Sequence, residues 1–243
     1  MKPHAAIYAA VFLSIATIAG TSAVKAQDYT AIVAAPDRTD ADRQTDQRRQ
    51  PEKMMAFTGV KTGMKVMDLV SSGGYSAELL ARSVGPTGVV YAQDAQATVG
   101  RTKERFAPRL EKFKQLVRVV REYDDPAPPE ANNLDLVTIY FSYHDLVHMG
   151  VDLAAMNKKV FAALKPGGFF VVADHSAKAG DGRNVAKTLH RIEESTLRQE
   201  VEAAGFKLVA EGDFLRHPED PRDTNVNQNK DPHDEFVLKF QKP

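Results

Sequence analysis

Four histidines, two of them with an acid beside them, stand out among the 243 residues, because folding alone does not require them. His144 precedes Asp145, His175 follows Asp174, and His148 and His190 complete the set. Imidazole is the side chain whose ordinary pKa lies nearest neutrality, so a His–carboxylate pair can take or deliver a proton at physiological pH. His144, Asp145 and His175 are therefore candidate catalytic residues. Two histidines and an acid also suit several divalent metals, so a metal-dependent activity using His144 and His175 is an alternative; no metal ligand is assigned. The plain alternative is that these rings satisfy buried backbone groups or sit on the surface, and that reading is taken for His4, His217 and His233. Tyr140 and Tyr143 flank the same segment. Aromatic residues there usually line a core, yet Tyr143 is a candidate to face an acceptor pocket.

A second set lies further upstream. Ser71-Ser72-Gly73-Gly74 is a small-residue turn between an apolar run, Lys65 to Val70, and a helical pattern, Ser76 to Val84. Such a turn lets a ligand approach the backbone and the N-terminus of the following helix. Asp94 ends the next apolar run, about 20 residues beyond the glycines, where an acid can accept both hydroxyls of a ribose. Together they indicate a nucleoside-containing cofactor. G-x-G-x-x-G is absent, which argues against hydride transfer from a dinucleotide.

The elements that must position these residues alternate regularly. Apolar strands are expected at 65–70, 89–92, 117–120, 134–141 and 169–173. Helices are expected between them, including a long one from Val99 past Phe106 that Pro108 should kink, and one running from Ile192 to Ala204. Continuous apolar strands alternating with helices mean a parallel sheet covered on both faces. The last two strands, 207–210 and 235–240, have no helix between them and should form an antiparallel hairpin, the final one with one wet face. Ligands on such a sheet bind beyond the carboxyl ends of the strands.

Lys2, the apolar run from Ala5 to Gly20 and the small residues ending Val24-Lys25-Ala26 have the layout of a secretory signal, so residues 1–26 are expected to be removed and the mature chain to be periplasmic or secreted. Residues 27–50 form a charged N-terminal arm, read as a solvated segment or as a lid over a cofactor cleft. Residues 51–243 form one domain. The chain has no cysteine, which excludes disulfides and cysteine zinc sites, and its formal charge of zero calls for no nucleic-acid partner. No apolar segment after the signal is long enough to span a membrane.

Val66-Met67-Asp68-Leu69-Val70-Ser71-Ser72-Gly73-Gly74-Tyr75 resembles the cofactor loop of class I S-adenosylmethionine-dependent methyltransferases. Leu164-Lys165-Pro166-Gly167-Gly168 resembles the turn before their fifth strand. Tyr143-His144-Asp145-Leu146, Asp174-His175-Ser176 and Phe236-Val237-Leu238-Lys239-Phe240 resemble a group of exported predicted methyltransferases. The resemblance implies a Rossmann-like α/β fold with a mostly parallel seven-stranded sheet, helices on both faces and a C-terminal antiparallel hairpin. It implies S-adenosylmethionine as cofactor and a small-molecule or unknown methyl acceptor. By the same resemblance Asp68, Ser72, Gly73 and Gly74 shape the pocket under the methionine part, and Asp94 holds the ribose. Asp124 or Asp125 takes the adenine amino group, and Tyr140 to His144 face the sulfonium and the acceptor. Val70 and Ser72 stand where the family prefers glycine, so a binding protein that has lost transfer activity is the other expectation.

Overall fold

The computed structural model describes Met1, residues 27–228 and residues 231–243. The expected signal segment, apart from Met1, lies outside the described residues. Seven strands form one sheet: β1 (Lys65–Leu69), β2 (Val89–Asp94), β3 (Leu116–Val120), β4 (Leu134–Tyr140), β5 (Leu164–His175), β6 (Lys207–Gly212) and β7 (Glu235–Gln241). Their spatial order is β3-β2-β1-β4-β5-β7-β6, with β1 to β5 parallel and β7 antiparallel to both its neighbours. The order reverses between β1 and β4, so the crevice for a ligand opens beyond the ends of those two strands.

Alternate residues of the parallel strands feed two cores. Val66, Val90, Leu136 and Val171 face one side, under α3 (Pro51–Thr58), α4 (Tyr75–Val84) and α5 (Gln96–Lys112). Met67, Val137, Phe170 and Val172 face the other, under α6 (Tyr143–His148), α7 (Leu153–Ala163) and α9 (Glu194–Glu202). The short α8 (Ala186–Leu189) packs beside α6.

Pro108 is accommodated inside α5, which runs unbroken from Gln96 to Lys112. Two expectations are corrected. Ile192 does not start a helix; it bridges to Ser176, and α9 begins at Glu194. The final strand is not half wet. Because β7 is inserted between β5 and β6, Phe236, Val237, Leu238 and Phe240 are all buried, and Lys239 turns its ammonium onto the carbonyls of Phe57 and Thr58 at the end of α3.

The charged arm is ordered. It forms α1 (Tyr29–Val33) and α2 (Asp40–Arg49). Thr39 caps α2 by accepting from the Asp42 N–H, Asp40 and Asp42 lie in its first turn, and Arg48 and Arg49 lie in its last, which suits the helix dipole. Asp42 pairs with Arg109 of α5 at 2.8 Å, and Arg48 with Glu235 of β7 at 2.7 Å. These pairs lay α2 across the ends of the parallel strands.

Candidate active site

The loop from β1 to α4 carries three residues in the left-handed region: Val70 at φ 52°, Ser72 at φ 50° and Gly74 at φ 79°. For an L-residue this conformation costs roughly 1–2 kcal/mol, and for β-branched Val70 it is a true outlier. The surroundings impose it. Asp68 accepts hydrogen bonds from the hydroxyls of Ser71 (2.7 Å), Ser76 (3.0 Å) and Thr138 (2.8 Å). The Ser72 N–H donates to Asp94 at 3.0 Å. At Gly74 a Cβ would come within 2.9 Å of Phe106 and Arg109, so no side chain fits there.

Two cavities meet at this loop, sharing Val70, Ser72 and Ser142 in their walls. The first, about 600 Å³, lies beneath α2 and reaches Arg49, Tyr75, Tyr140 and Arg105. The second, about 610 Å³, reaches Thr98, Tyr123, Asp145, His148 and His190. The loop is thus the sill between two lobes of one crevice.

Within the first lobe, Arg49 is enclosed between the rings of Phe141 (4.5 Å to the centroid) and Tyr75 (5.6 Å). It has no carboxylate in ion-pair range among the described residues, and its Nε has no hydrogen-bond partner. Burial and the neighbouring Arg48 push its pKa down to about 10. The Tyr140 hydroxyl also lacks a partner, and burial raises its pKa well above the ordinary value. Sequence reasoning placed Tyr140 here but missed Arg49, whose only signal is its place at the basic end of an otherwise acidic-then-basic helix.

The expected cofactor residues divide. Ser72, Gly73 and Tyr140 line the first lobe. Asp68 is 1% exposed and spends both oxygens on hydroxyls of the fold; burial raises its pKa. It builds the loop from beneath. Asp94 is fully buried and lines neither lobe, with Arg118 of β3 on Oδ2 at 2.7 Å and the Ser72 N–H on Oδ1. Burial lifts its pKa to about 6, against the pull of Ser72 and Arg118. Arg118 itself stacks 3.8 Å from the Phe106 centroid. The ribose role expected of Asp94 is therefore not prepared. Asp124 is exposed and outside both linings, while Asp125 pairs with Arg121 and Lys159. The residue of that turn that reaches the second lobe is Tyr123, hydrogen-bonded to Thr98 at 2.9 Å.

The expected catalytic residues divide as well. His144 is 2% exposed, with Nδ1 2.6 Å from Asp174 Oδ1 and Nε2 3.2 Å from Asp145 Oδ1. Burial opposes its charge, but Asp174 and Asp145 outweigh that and raise its pKa to about 10. His190 Nδ1 meets the same Asp145 oxygen at 2.9 Å. His175 belongs elsewhere: its Nδ1 lies 3.1 Å from Glu235 without hydrogen-bond alignment, and burial lowers its pKa. Pairing His144 with His175 as metal ligands is thereby corrected: among the described residues the donor atoms that cluster with His144 belong to Asp145 and His190, while His175 Nδ1 lies against Glu235. Tyr143 is fully buried, and its hydroxyl joins Glu200 (2.9 Å) and Asn157 (2.9 Å) in the core beside α7 and α9. It does not face an acceptor.

Residues 44–190 match the ubiE/COQ5 methyltransferase family, a span that runs from α2 through the loop to His190 and covers more than half of the chain. The ubiquinone/menaquinone biosynthesis C-methyltransferase UbiE of Cupriavidus necator is 32% identical over 124 residues, 50% of this chain and 47% of that one. The enzyme of the same name from Stutzerimonas stutzeri is 28% identical over 186 residues, 63% of this chain and 69% of that one. The chain thus spans about half the length of the Cupriavidus relative it matches. Among solved structures, a SAM dependent methyltransferase from Aquifex aeolicus superposes with a TM-score of 0.59 at 17% identity, covering 85% of this chain and 100% of that one. The [4+2]-cyclase SpnF reaches 0.57 at 16% identity, covering 84% and 81%. The fold by itself therefore does not fix the reaction, but the sequence match extends over the loop and both lobes: the chain belongs to the ubiE/COQ5 methyltransferase family.

Proposed function

We propose that this protein transfers the methyl group of S-adenosylmethionine to a small-molecule acceptor bound in the same crevice. The observation that carries the reading is the loop backbone. Val70 and Ser72 keep left-handed φ values at a cost to folding, beside Gly74, which adopts its own without one. When bound, the cofactor supplies a methyl group on a sulfonium, ready for in-line displacement by an acceptor lone pair.

The first lobe suits the amino-acid end of such a cofactor. Arg49 offers an enclosed guanidinium without an acid, and the Gly74 N-cap carries no side-chain hydrogen bond, so first-turn N–H groups of α4 remain as donors. Both favour a carboxylate. Arg49 binds and orients, and α2 above it excludes water. In the second lobe His148 and His190 border the space where an acceptor can sit, and either ring can take its proton. The relatives are named as C-methyltransferases of ubiquinone/menaquinone biosynthesis. Methylation at carbon or at a hydroxyl needs such a proton removed, so the acceptor class proposed here is a small molecule with an ionisable group. Nucleic acid is not proposed as a partner.

One observation favours a second reading, a binding protein without turnover. Ribose hydroxyls can reach Asp94 only by displacing Arg118 and the Ser72 N–H. Export is proposed on the Lys2, Ala5–Gly20 and Val24–Ala26 pattern alone; N-terminal sequencing of the mature protein checks it, with Gln27 as the expected first residue.

Thermal unfolding with and without S-adenosylhomocysteine tests the function. Ligand at about 100 times its dissociation constant stabilises the fold by roughly 2.7 kcal/mol. A midpoint shift that shrinks in Arg49→Met supports cofactor binding through the first lobe. A shift without methyl transfer to any phenol or quinol offered supports the binding protein. No shift at millimolar ligand refutes the proposal.

A further inference from the structure

Three imidazoles converge on one carboxylate oxygen at the rim of the second lobe. His190 Nδ1 lies 2.9 Å from Asp145 Oδ1, His144 Nε2 lies 3.2 Å from it, and His148 Nδ1 lies 3.7 Å from it. The donor atoms of His144, Asp145 and His190 are all within 4.8 Å of one another. We propose that His144, Asp145 and His190 form a binding site for a divalent cation of the zinc type, with His148 at its exposed edge.

Proton counting supports a cation here. A neutral imidazole has one N–H, and His144 lies between two carboxylates. Asp174 is fixed, because it also accepts the backbone N–H groups of His144 (2.9 Å) and His175 (2.8 Å). Its 2.6 Å contact therefore holds the His144 proton on Nδ1 and leaves the Nε2 lone pair facing Asp145. A proton on Nε2 satisfies that contact for His144 alone, whereas a metal ion would serve the rings of His144 and His190 and the Asp145 carboxylate at once. The carboxylate–histidine pair with the second nitrogen aimed at a common centre is also the arrangement that orients metal ligands.

The spacing suits the ion. Donors about 2.0–2.1 Å from a tetrahedral zinc lie roughly 3.3 Å apart, near the separations found here. His144 and His148 are one helical turn apart on α6 and share a face. His190 reaches them from the end of α8, where it holds a left-handed φ of 54°. Imidazole with carboxylate is a borderline donor set that takes zinc and its first-row neighbours ahead of magnesium or calcium. Asp145, His148 and His190 are each at least a quarter exposed, so the ion can enter, and a vacant position can point into the second lobe toward an acceptor oxygen.

The site shares His190 and its rim with the acceptor lobe of the proposed function, but cation uptake is read on protein without cofactor, so the two readings fail separately. The full chain, free of any histidine tag and treated with chelator, is titrated with zinc chloride in a calorimeter. About one equivalent is expected to bind. His190→Ala and Asp145→Asn should each weaken binding by more than 10-fold, and Asp174→Asn by about 10–100-fold through the tilt of His144. His217→Ala, on a surface histidine beside Glu219, should match the parent. Circular dichroism of each variant without zinc separates lost ligands from lost fold, and Asp145→Asn, partly exposed and nearly isosteric, serves if His190→Ala unfolds. Absence of saturable uptake by the parent overturns the proposal. So does parent-like affinity in His190→Ala or, where that variant is unfolded, in Asp145→Asn.

Discussion

Replacing Arg118 by Met isolates the charge that holds Asp94. Methionine keeps the apolar stem against Phe106 but removes the guanidinium. In the folded protein Asp94 is fully buried, and Arg118 supplies one of its two hydrogen bonds, at 2.7 Å. Near pH 8 Asp94 is ionised in both folded and unfolded chains, so the variant leaves a buried carboxylate without its counter-charge, a loss of about 3–5 kcal/mol. Near pH 5 the folded Asp94, with its pKa raised to about 6, is mostly protonated and needs no counter-charge. What remains is the hydrogen bond to Thr102 and the cation–π contact, about 1–2 kcal/mol. The sign follows from linkage. A carboxyl whose folded pKa lies above its unfolded value binds more protons when folded, so its contribution to stability rises as pH falls through about 6 and is complete below about 4. Urea denaturation of parent and variant at pH 8 and pH 5 reads the difference directly, since the other titrating groups are common to both. The variant should be weaker by roughly 2–3 kcal/mol more at pH 8 than at pH 5. An equal loss at the two pH values, or a larger one at pH 5, would refute the assignment of Asp94 as a structural acid gated by Arg118.

Tyr143→Phe should lower stability by about 1–3 kcal/mol, because it strands the buried Asn157 amide and removes a hydrogen bond to the half-buried Glu200, and should leave the midpoint shift with S-adenosylhomocysteine unchanged. Arg109→Ala removes the cation shared by Asp42 and Glu78, so α2 should come off the crevice: limited proteolysis should cut residues 40–49 well before the sheet, and the ligand-induced shift should fall. Survival of α2 at the parent rate would mean that the Arg48–Glu235 pair and the cap at Gln50, whose amide reaches the Phe214 carbonyl, hold it alone.

Much of the fold is determined by local pattern. Runs such as Val66-Met67 and Leu136-Val137-Thr138-Ile139 are apolar on consecutive positions, and only a sheet covered on both faces buries consecutive residues. The small-residue turn and its position after β1 likewise place the crevice at the switch between β1 and β4. The chain itself thus determined the sheet class, the alternation with helices and the loop at which chemistry gathers. Tertiary structure decided the rest. Pro108 survives in α5 and Phe236 to Phe240 are dry on both faces because neighbours far away in sequence override local preference. Asp94, Tyr143 and His175 carry residue types that suit catalysis, yet Arg118, Glu200 and Glu235 turn each of them into the fold. Arg49 carries no local motif, and both it and His190 enter the crevice only because α2 is laid over it by Asp42 and Arg109, and because the end of α8 packs on α6. Which way a polar side chain points depends on partners that are 24 to 187 residues distant, and hydrogen-bond and charge pairing over such distances is settled by packing, not by the neighbouring residues in the chain.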